Sequence, residues 1–113
     1  MNYNLEERTA KFGEDIIKFV KTLPYNDFNR PLISQLIRSA TSIGANYMEA
    51  NQASSKKDFK NKIRISQKEA NETKHWLRMV GVSNPDKAVE CKKLSQEAHE
   101  LTLIFAKISR SCE

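Results

Sequence analysis

The stretch RSATSIGANYMEA, residues 38–50, has helical periodicity on two faces rather than one. At about 100° per residue, the first face is apolar and predicts a buried stripe made of Leu32, Leu36, Ala40, Ile43, Tyr47 and Ala50. The second face carries short polar side chains between an arginine and a glutamate: Arg38, Ser39, Ser42, Asn46 and Glu49. Short side chains let another helix approach closely, and polar ones can hydrogen-bond across the contact. We therefore predict a helix-packing or subunit contact on this second face. A ligand or catalytic site is the less favoured alternative, since the row lacks a nucleophile–base pair.

The rest of the chain divides into three more helical segments. Pro24 ends the first segment, because a proline pushes the residue before it out of the helical region. Asp27 or Asn29 can cap the second, and Ser55 with Asp58 has the spacing of a capping box at the start of the third. We expect the third to stop at Gly81. The predicted helices span about residues 4–23, 29–52, 55–80 and 85–109.

The first and last segments carry apolar stripes of helical spacing. In the first segment the predicted core residues are Leu5, Phe12, Ile16, Phe19, Val20 and Leu23. In the last segment they are Ala88, Cys91, Leu94, Ala98, Leu101, Phe105 and Ile108. Four helices of similar length with short turns bury such stripes against one another. We predict an all-α fold, a single domain over residues 1–113 built as an antiparallel up-down-up-down four-helix bundle.

Composition narrows the function classes. The chain has 113 residues, 39% hydrophobic and 29% charged, which is typical of a globular domain. No apolar run approaches the ~18 residues of a membrane span, and the first residues lack the apolar region of a secretory signal. Cys91 and Cys112 lie roughly 30 Å apart by helical rise, too far for a disulfide. We expect free thiols and a cytoplasmic protein.

No constellation of residues in the chain predicts catalysis. Glu72 and His75 have the spacing of a di-iron ligand pair, but the fourth helix offers only Gln96 and His99 in place of a second pair. The glycines are isolated and form no phosphate-cradling loop, and Gly44 lies beside the core face, where we expect it to permit close helix approach. We expect no enzyme activity, no cofactor and no metal.

Two stretches, LIRSATSIGANYMEA at residues 36–50 and SSKKDFKNKIRISQKEANETKHWL at residues 54–77, resemble a known family. It is the small bacterial four-helix-bundle family encoded in intervening sequences of large-subunit ribosomal RNA genes. The residues that carry the resemblance are Arg38, Ser39, Ser42, Ile43, Asn46, Glu49, Lys57, Asp58, Phe59, Ala70, Glu72, Trp76 and Leu77. The resemblance implies an up-down bundle that assembles as a homopentamer. The chain is more distantly similar to the basic pentameric accessory protein of diversity-generating retroelements, which works with a reverse transcriptase and RNA.

Positive charge is concentrated on the third helix. Residues 54–80 hold eight Lys or Arg against three Asp or Glu, which accounts for a net +5. A basic ridge lies within about 80° of arc, formed by Lys57, Lys60, Arg64, Lys68, His75 and Arg78 with Asn71 among them. Such a ridge can follow a phosphate backbone, although a basic row is also common on an ordinary solvated surface. Because no RNA-binding motif is present, sequence-independent phosphate contact is the expected form.

The third helix has a further face that belongs neither to the core nor to the basic ridge. It carries Ile65, Glu69, Glu72 and Trp76. Exposed Ile and Trp are usual at interfaces, so a subunit contact is favoured. The alternative is a core wide enough to take Trp76 at its edge.

These observations lead to two functional hypotheses. The first is a non-enzymatic homo-oligomeric bundle whose basic ridge binds RNA or another polyanion. The second is a structural or adaptor oligomer that presents its surface to a protein partner, with no nucleic-acid role. Neither involves a membrane.

Overall fold

The computed structural model describes residues 4–112, which form four helices and no strand. The helices are α1 (Leu5–Val20), α2 (Asn29–Asn51), α3 (Lys56–Ser83) and α4 (Ala88–Ser111), with a 3₁₀ turn at Pro85–Lys87. Helix α1 packs on α2, α2 on α3, and α3 on α4, within overall dimensions of 44 × 21 × 20 Å. The predicted all-α, up-down-up-down four-helix bundle is confirmed. No helix within the described range is long and apolar enough to cross a membrane.

Helix α1 buries the whole predicted stripe but ends three residues early. The backbone N–H groups of Thr22 and Leu23 donate to the carbonyls of Phe19 and Val20, at 2.9 and 3.1 Å. These bonds join residues three apart, so the last turn is tighter than an α-helix. Leu23 remains in the core although it lies outside the helix, at 7% exposure.

The expected caps of α2 are wrong, because neither Asp27 nor Asn29 supplies the capping oxygen. Asn26 does so: its Oδ1 accepts hydrogen bonds from the N–H groups of Phe28 and Asn29, at 3.1 and 2.8 Å. The Asn29 side chain turns inward instead and is only 1% exposed. It bonds to the end of α3, a long-range contact that a local capping pattern does not reveal.

Helix α3 begins as predicted and ends later than predicted. Ser55 caps it by accepting a hydrogen bond from the N–H of Asp58. The helix runs through Gly81 to Ser83. Gly81, like the other glycines within the described residues, does not adopt the positive φ that would end a helix. It ends at Asn84, whose φ of −134° and ψ of 74° are non-helical, as expected for a residue before a proline.

Helix α4 departs from the predicted boundaries at both ends. The 3₁₀ turn precedes it, and the predicted core residue Ala88 is exposed. At the other end the helix reaches Ser111, and the backbone N–H of Cys112 donates to the Ser109 carbonyl at 3.2 Å. Helical hydrogen bonding therefore extends beyond the predicted end at residue 109. The remainder of the predicted stripe is buried or half-buried.

Gly44 allows α1 and α2 to approach closely, as the sequence predicted. A Cβ atom at this position would lie 3.0 Å from Thr9 Oγ1 and 3.3 Å from Thr9 Cβ. Thr9 is 2% exposed and donates its hydroxyl to the Leu5 carbonyl at 2.6 Å. The hydroxyl is thereby held on α1, so a Cβ atom opposite it would force Thr9 to shift by a few tenths of an ångström.

Candidate nucleic-acid interface

Helix α3 carries the basic ridge along its solvent side. Capping at Ser55 sets the start of the helix, and the buried residues Ile63, Ala70 and Leu77 turn the opposite side into the core. The ridge residues are exposed except for Lys60, which is half-buried: Lys57, Lys60, Arg64, Lys68, His75 and Arg78. From residue 57 to residue 78 the ridge extends roughly 30 Å along the helix axis.

Two of the three acidic residues of α3 are engaged by α2. Glu69 and Glu72 both pair with Arg38 of α2. The Arg38 guanidinium contacts the two Glu69 oxygens at 3.1 and 3.3 Å, and the hydrogen bond with Glu69 raises the pKa of Arg38. These carboxylates therefore compensate the positive charge of Arg38 on α2 rather than the charge of the basic ridge. Within residues 4–112, Lys57, Lys68 and Arg78 form no ion pair.

The polar row of α2 lies along the seam between α2 and α3. Ser39 is fully buried and accepts a hydrogen bond from Thr73 Oγ1 at 2.9 Å. The Ser66 hydroxyl of α3 donates in return to the Ile43 carbonyl of α2 at 3.0 Å. Glu49 pairs with Lys62 of α3 at 2.9 Å. Helix packing within one chain accounts for these contacts.

Ser42 and Asn46, the remaining members of the row, bond within α2. Ser42 Oγ donates to the Arg38 carbonyl at 2.6 Å, and Asn46 Nδ2 donates to the Ser42 carbonyl at 2.9 Å. Both side chains are half-buried. Their hydrogen bonds stay within α2, and the two side chains lie at the rim of the seam.

Ile65 and Trp76 lie at the outer edge of the same seam. Ile65 is 37% exposed, whereas Trp76 is half-buried and packs against the core. The Trp76 ring meets the His75 ring edge-on, with centroids 4.9 Å apart. Its indole Nε1 is buried without a hydrogen-bond partner among the described residues. An unpaired buried donor of this kind costs about 1–3 kcal/mol.

The di-iron spacing leads to no metal centre in the described part of the chain. Glu72 is occupied by Arg38, and His75 is exposed on the ridge. Residues 4–112 contain no group of three His, Cys, Asp or Glu side chains that could hold a metal ion.

The sequence patterns did not predict two polar clusters that the structure contains. One is the buried pair Asn29 and Asn84, whose side chains bond to each other across 55 positions. The other is Arg8 of α1, whose guanidinium bonds both oxygens of Glu97 of α4 at 2.8 Å, which raises the pKa of Arg8. The only available signal for the first cluster is an asparagine at each helix boundary. The second has none, because its partners lie 89 positions apart.

Two cations beside the ridge were also missed. Lys74 of α3 and Lys92 of α4 line a pocket between the two helices, together with His75 and Arg78 of the ridge. Lys92 belongs to another helix, so a helical wheel of α3 alone does not include it.

Comparison with known proteins agrees with this architecture. A crystal structure of an S23 ribosomal protein family member of unknown function, from Bacteroides thetaiotaomicron, is 32% identical, with a TM-score of 0.88 over 97% of this chain and 99% of that one. No curated protein matches the chain. The family model of the 23S rRNA-intervening sequence protein matches residues 2–107. With nearly its whole length matched, this chain belongs to the 23S rRNA-intervening sequence protein family.

Proposed function

We propose that this chain is a non-enzymatic bundle that assembles with copies of itself, as a homopentamer, and binds RNA through the basic ridge of α3. The observation that carries the proposal is the separation of charge on that helix. Five of the six ridge side chains are exposed, whereas two of the three acidic residues of α3, Glu69 and Glu72, pair with Arg38 of α2. The ridge therefore presents a positive field that Glu69 and Glu72 do little to cancel, because Arg38 engages both.

The shape of the ridge suits a phosphate backbone better than a single anion. Over its roughly 30 Å length, the ridge places Lys57, Lys60, Arg64 and Lys68 about one helical turn apart, so several phosphates can be contacted together. Such contact releases counterions and carries no base information, so binding would be salt-dependent and independent of sequence. The family name refers to 23S rRNA, and the similar crystal structure is assigned to a ribosomal protein family. Both names are consistent with an RNA partner.

Self-association is supported by large apolar side chains on the surface. Met48 of α2, Ile65 of α3 and Leu103 of α4 are 51%, 37% and 56% exposed. Side chains of this kind are enriched where subunits meet. A ring would repeat the ridge in every copy and strengthen binding to a long polyanion through multivalency.

Because Cys91 and Cys112 are free thiols, we place the protein in the reducing cytoplasm.

RNA titrations at increasing salt test the ridge, with two charge-matched double variants. Lys57→Glu with Lys68→Glu alters the ridge, and Lys93→Glu with Lys107→Glu alters exposed lysines of α4. Both lower the net charge by four, from +5 to +1. We expect the ridge variant to lose about tenfold or more in affinity and to show a shallower salt dependence than the control. Equal losses in the two variants would contradict a specific role for the ridge.

A structural or adaptor role is the second candidate, and an apolar groove between α1 and α2 favours it. This groove has a volume of about 320 Å³ and includes Ala10, Ile17, Ala45 and Met48 in its lining.

Light scattering tests the assembly that both candidates share: five chains of 13.0 kDa are expected, and a monomer would contradict both. A pentamer that binds no RNA at low salt would favour the adaptor role.

A further inference from the structure

A pocket of about 730 Å³ lies between the C-terminal half of α3 and the start of α4. This volume falls within the range of small-ligand sites, about 300–1,000 Å³. Its apolar base is formed by the exposed side chains of Val82 in α3 and Ala88 in α4, next to Gly81 and the buried Leu77 and Cys91. The base is therefore apolar and contributed by both helices.

Three cationic side chains, Lys74, Arg78 and Lys92, surround this apolar base. Lys74, His75 and Arg78 of α3 and Lys92 of α4 line the pocket, and no acidic residue does. Lys74 Nζ lies 3.2 Å from His99 Nδ1, while Arg78 and Lys92 form no ion pair within residues 4–112. Three formal positive charges thus converge on one concave site.

The combination of an apolar base and a cationic rim suits a nucleotide. The flat faces of a nucleobase can lie on apolar side chains, and the phosphate of the nucleotide can bond to arginine and lysine. The Asn71 amide and the Ser95 hydroxyl also line the pocket and offer neutral hydrogen-bonding groups for base edges. Inorganic phosphate alone would leave the apolar bottom of the pocket uncovered.

We propose that this pocket binds one nucleotide, with the nucleobase against Val82 and Ala88 and the phosphate between Arg78 and Lys92. The inference rests on the proposed RNA-binding function and deepens it. His75 and Arg78 belong to both the ridge and the pocket, so a chain that follows the ridge can place one nucleotide here.

Gly81 provides a steric test of the pocket. A Cβ atom at this position would meet Cys91 Cβ and Sγ at 3.8 Å, an ordinary van der Waals distance. A side chain can therefore start there without striking the backbone, and the longer Gly81→Leu would occupy the base of the pocket. Lys92→Glu tests the rim. Its matched control is Lys93→Glu, an exposed neighbour that lines a different cavity, between α1 and α4.

The experiment measures binding of a labelled single-stranded oligouridylate by fluorescence anisotropy, with uridine 5′-monophosphate as competitor. We expect Gly81→Leu and Lys92→Glu to weaken RNA affinity about tenfold or more, and Lys93→Glu to change it less than about twofold. Displacement by the free nucleotide would identify a mononucleotide as a sufficient ligand. Weakening without displacement would assign the bound nucleotide to the RNA chain.

The pocket and the ridge can fail separately. If Gly81→Leu keeps its helical circular dichroism and binds RNA as tightly as the unaltered protein, the pocket proposal is wrong and the ridge proposal stands. If Gly81→Leu does not fold, equal affinities of Lys92→Glu and Lys93→Glu overturn the pocket. If the unaltered protein binds no RNA, the ridge proposal fails. The pocket is then tested by calorimetry with uridine 5′-monophosphate, and absence of binding at millimolar concentration overturns it.

Discussion

The side-chain amides of Asn29 and Asn84 bond to each other twice. Asn29 Nδ2 donates to Asn84 Oδ1 at 2.9 Å, and Asn84 Nδ2 donates to Asn29 Oδ1 at 2.8 Å. Ser83 Oγ donates to the same Asn29 oxygen, and Asn29 Nδ2 also donates to the Pro24 carbonyl, each at 2.8 Å. This cluster joins the start of α2 to the end of α3 within a buried site.

Replacing Asn29 should destabilise the bundle strongly. We expect Asn29→Ala to lower the free energy of unfolding by about 1–3 kcal/mol, because Asn84 and Ser83 lose their partner in a buried site. Urea denaturation followed by circular dichroism measures the change. Asn51→Ala is the matched control: it removes an exposed asparagine at the other end of α2 and should change stability by less than about 0.5 kcal/mol. Equal effects would show that the cluster adds nothing.

The two glycines between α1 and α2 should respond oppositely to alanine. At Gly44 a methyl would lie 3.0 Å from Thr9 Oγ1, so we expect Gly44→Ala to lower the free energy of unfolding by about 1 kcal/mol or more. At Gly13 the nearest atom is Thr41 Cγ2 at 3.6 Å, so the helix-propensity gain of alanine should dominate and raise stability by up to about 1 kcal/mol. Thermal unfolding of both variants tests this predicted order of stability, with Gly13→Ala above Gly44→Ala. A Gly44→Ala variant more stable than Gly13→Ala would contradict it.

The hydrogen bond from Thr73 to Ser39 should contribute to the α2–α3 seam. Thr73→Val keeps the shape of the side chain but removes a hydroxyl that bonds both Ser39 Oγ at 2.9 Å and the Glu69 carbonyl of its own helix at 2.8 Å. We expect a loss of about 1 kcal/mol. Thr102→Val removes a hydroxyl that bonds only to a carbonyl of its own helix, so it should cost less than about 0.5 kcal/mol. A chemical denaturation series that includes Ser39→Ala and the double variant measures the coupling between Ser39 and Thr73.

Cys91 should be a poorly reactive thiol. Burial, and then the nearby Glu90 carboxylate, raises the pKa of Cys91, so little reactive thiolate forms at neutral pH. In a Cys112→Ser background we expect slow alkylation by iodoacetamide at pH 8 and a rate that increases toward higher pH. In the matched Cys91→Ala background, the more accessible Cys112 should react faster. Rapid modification of Cys91 in the folded protein would contradict this expectation.

The same raised pKa predicts a stability change at alkaline pH. The folded state holds the Cys91 proton more tightly than the unfolded state, whose thiol has a pKa of about 8.5. The associated stability is present below that pKa and is lost as pH rises through the folded value. Relative to Cys91→Ala, the unaltered protein should therefore lose free energy of unfolding above about pH 8.5. Denaturation of both proteins across this range measures the difference, and parallel curves would contradict it.

Local patterns in the sequence predicted most of the fold. The apolar spacing of α1 and α2, the capping pair Ser55 and Asp58, and the close contact at Gly44 all depend on neighbours within one helix or on side-chain size. The ridge on α3 was predictable for the same reason, since a helical wheel places Lys57 and Arg78 on one side. Helix ends were less predictable, because Gly81 is helical in this bundle and Asn84 ends α3.

The sequence by itself determined the four helices, their buried stripes and the basic ridge, because each follows from a period of 3.6 residues. Only the tertiary structure decided what those helices place together. It placed the polar row of α2 along the seam with α3, paired Glu69 and Glu72 with Arg38, and brought Lys92 of α4 beside Arg78. Such contacts join residues far apart in the chain, and they depend on which helices pack together and at what height, which no single helical period specifies.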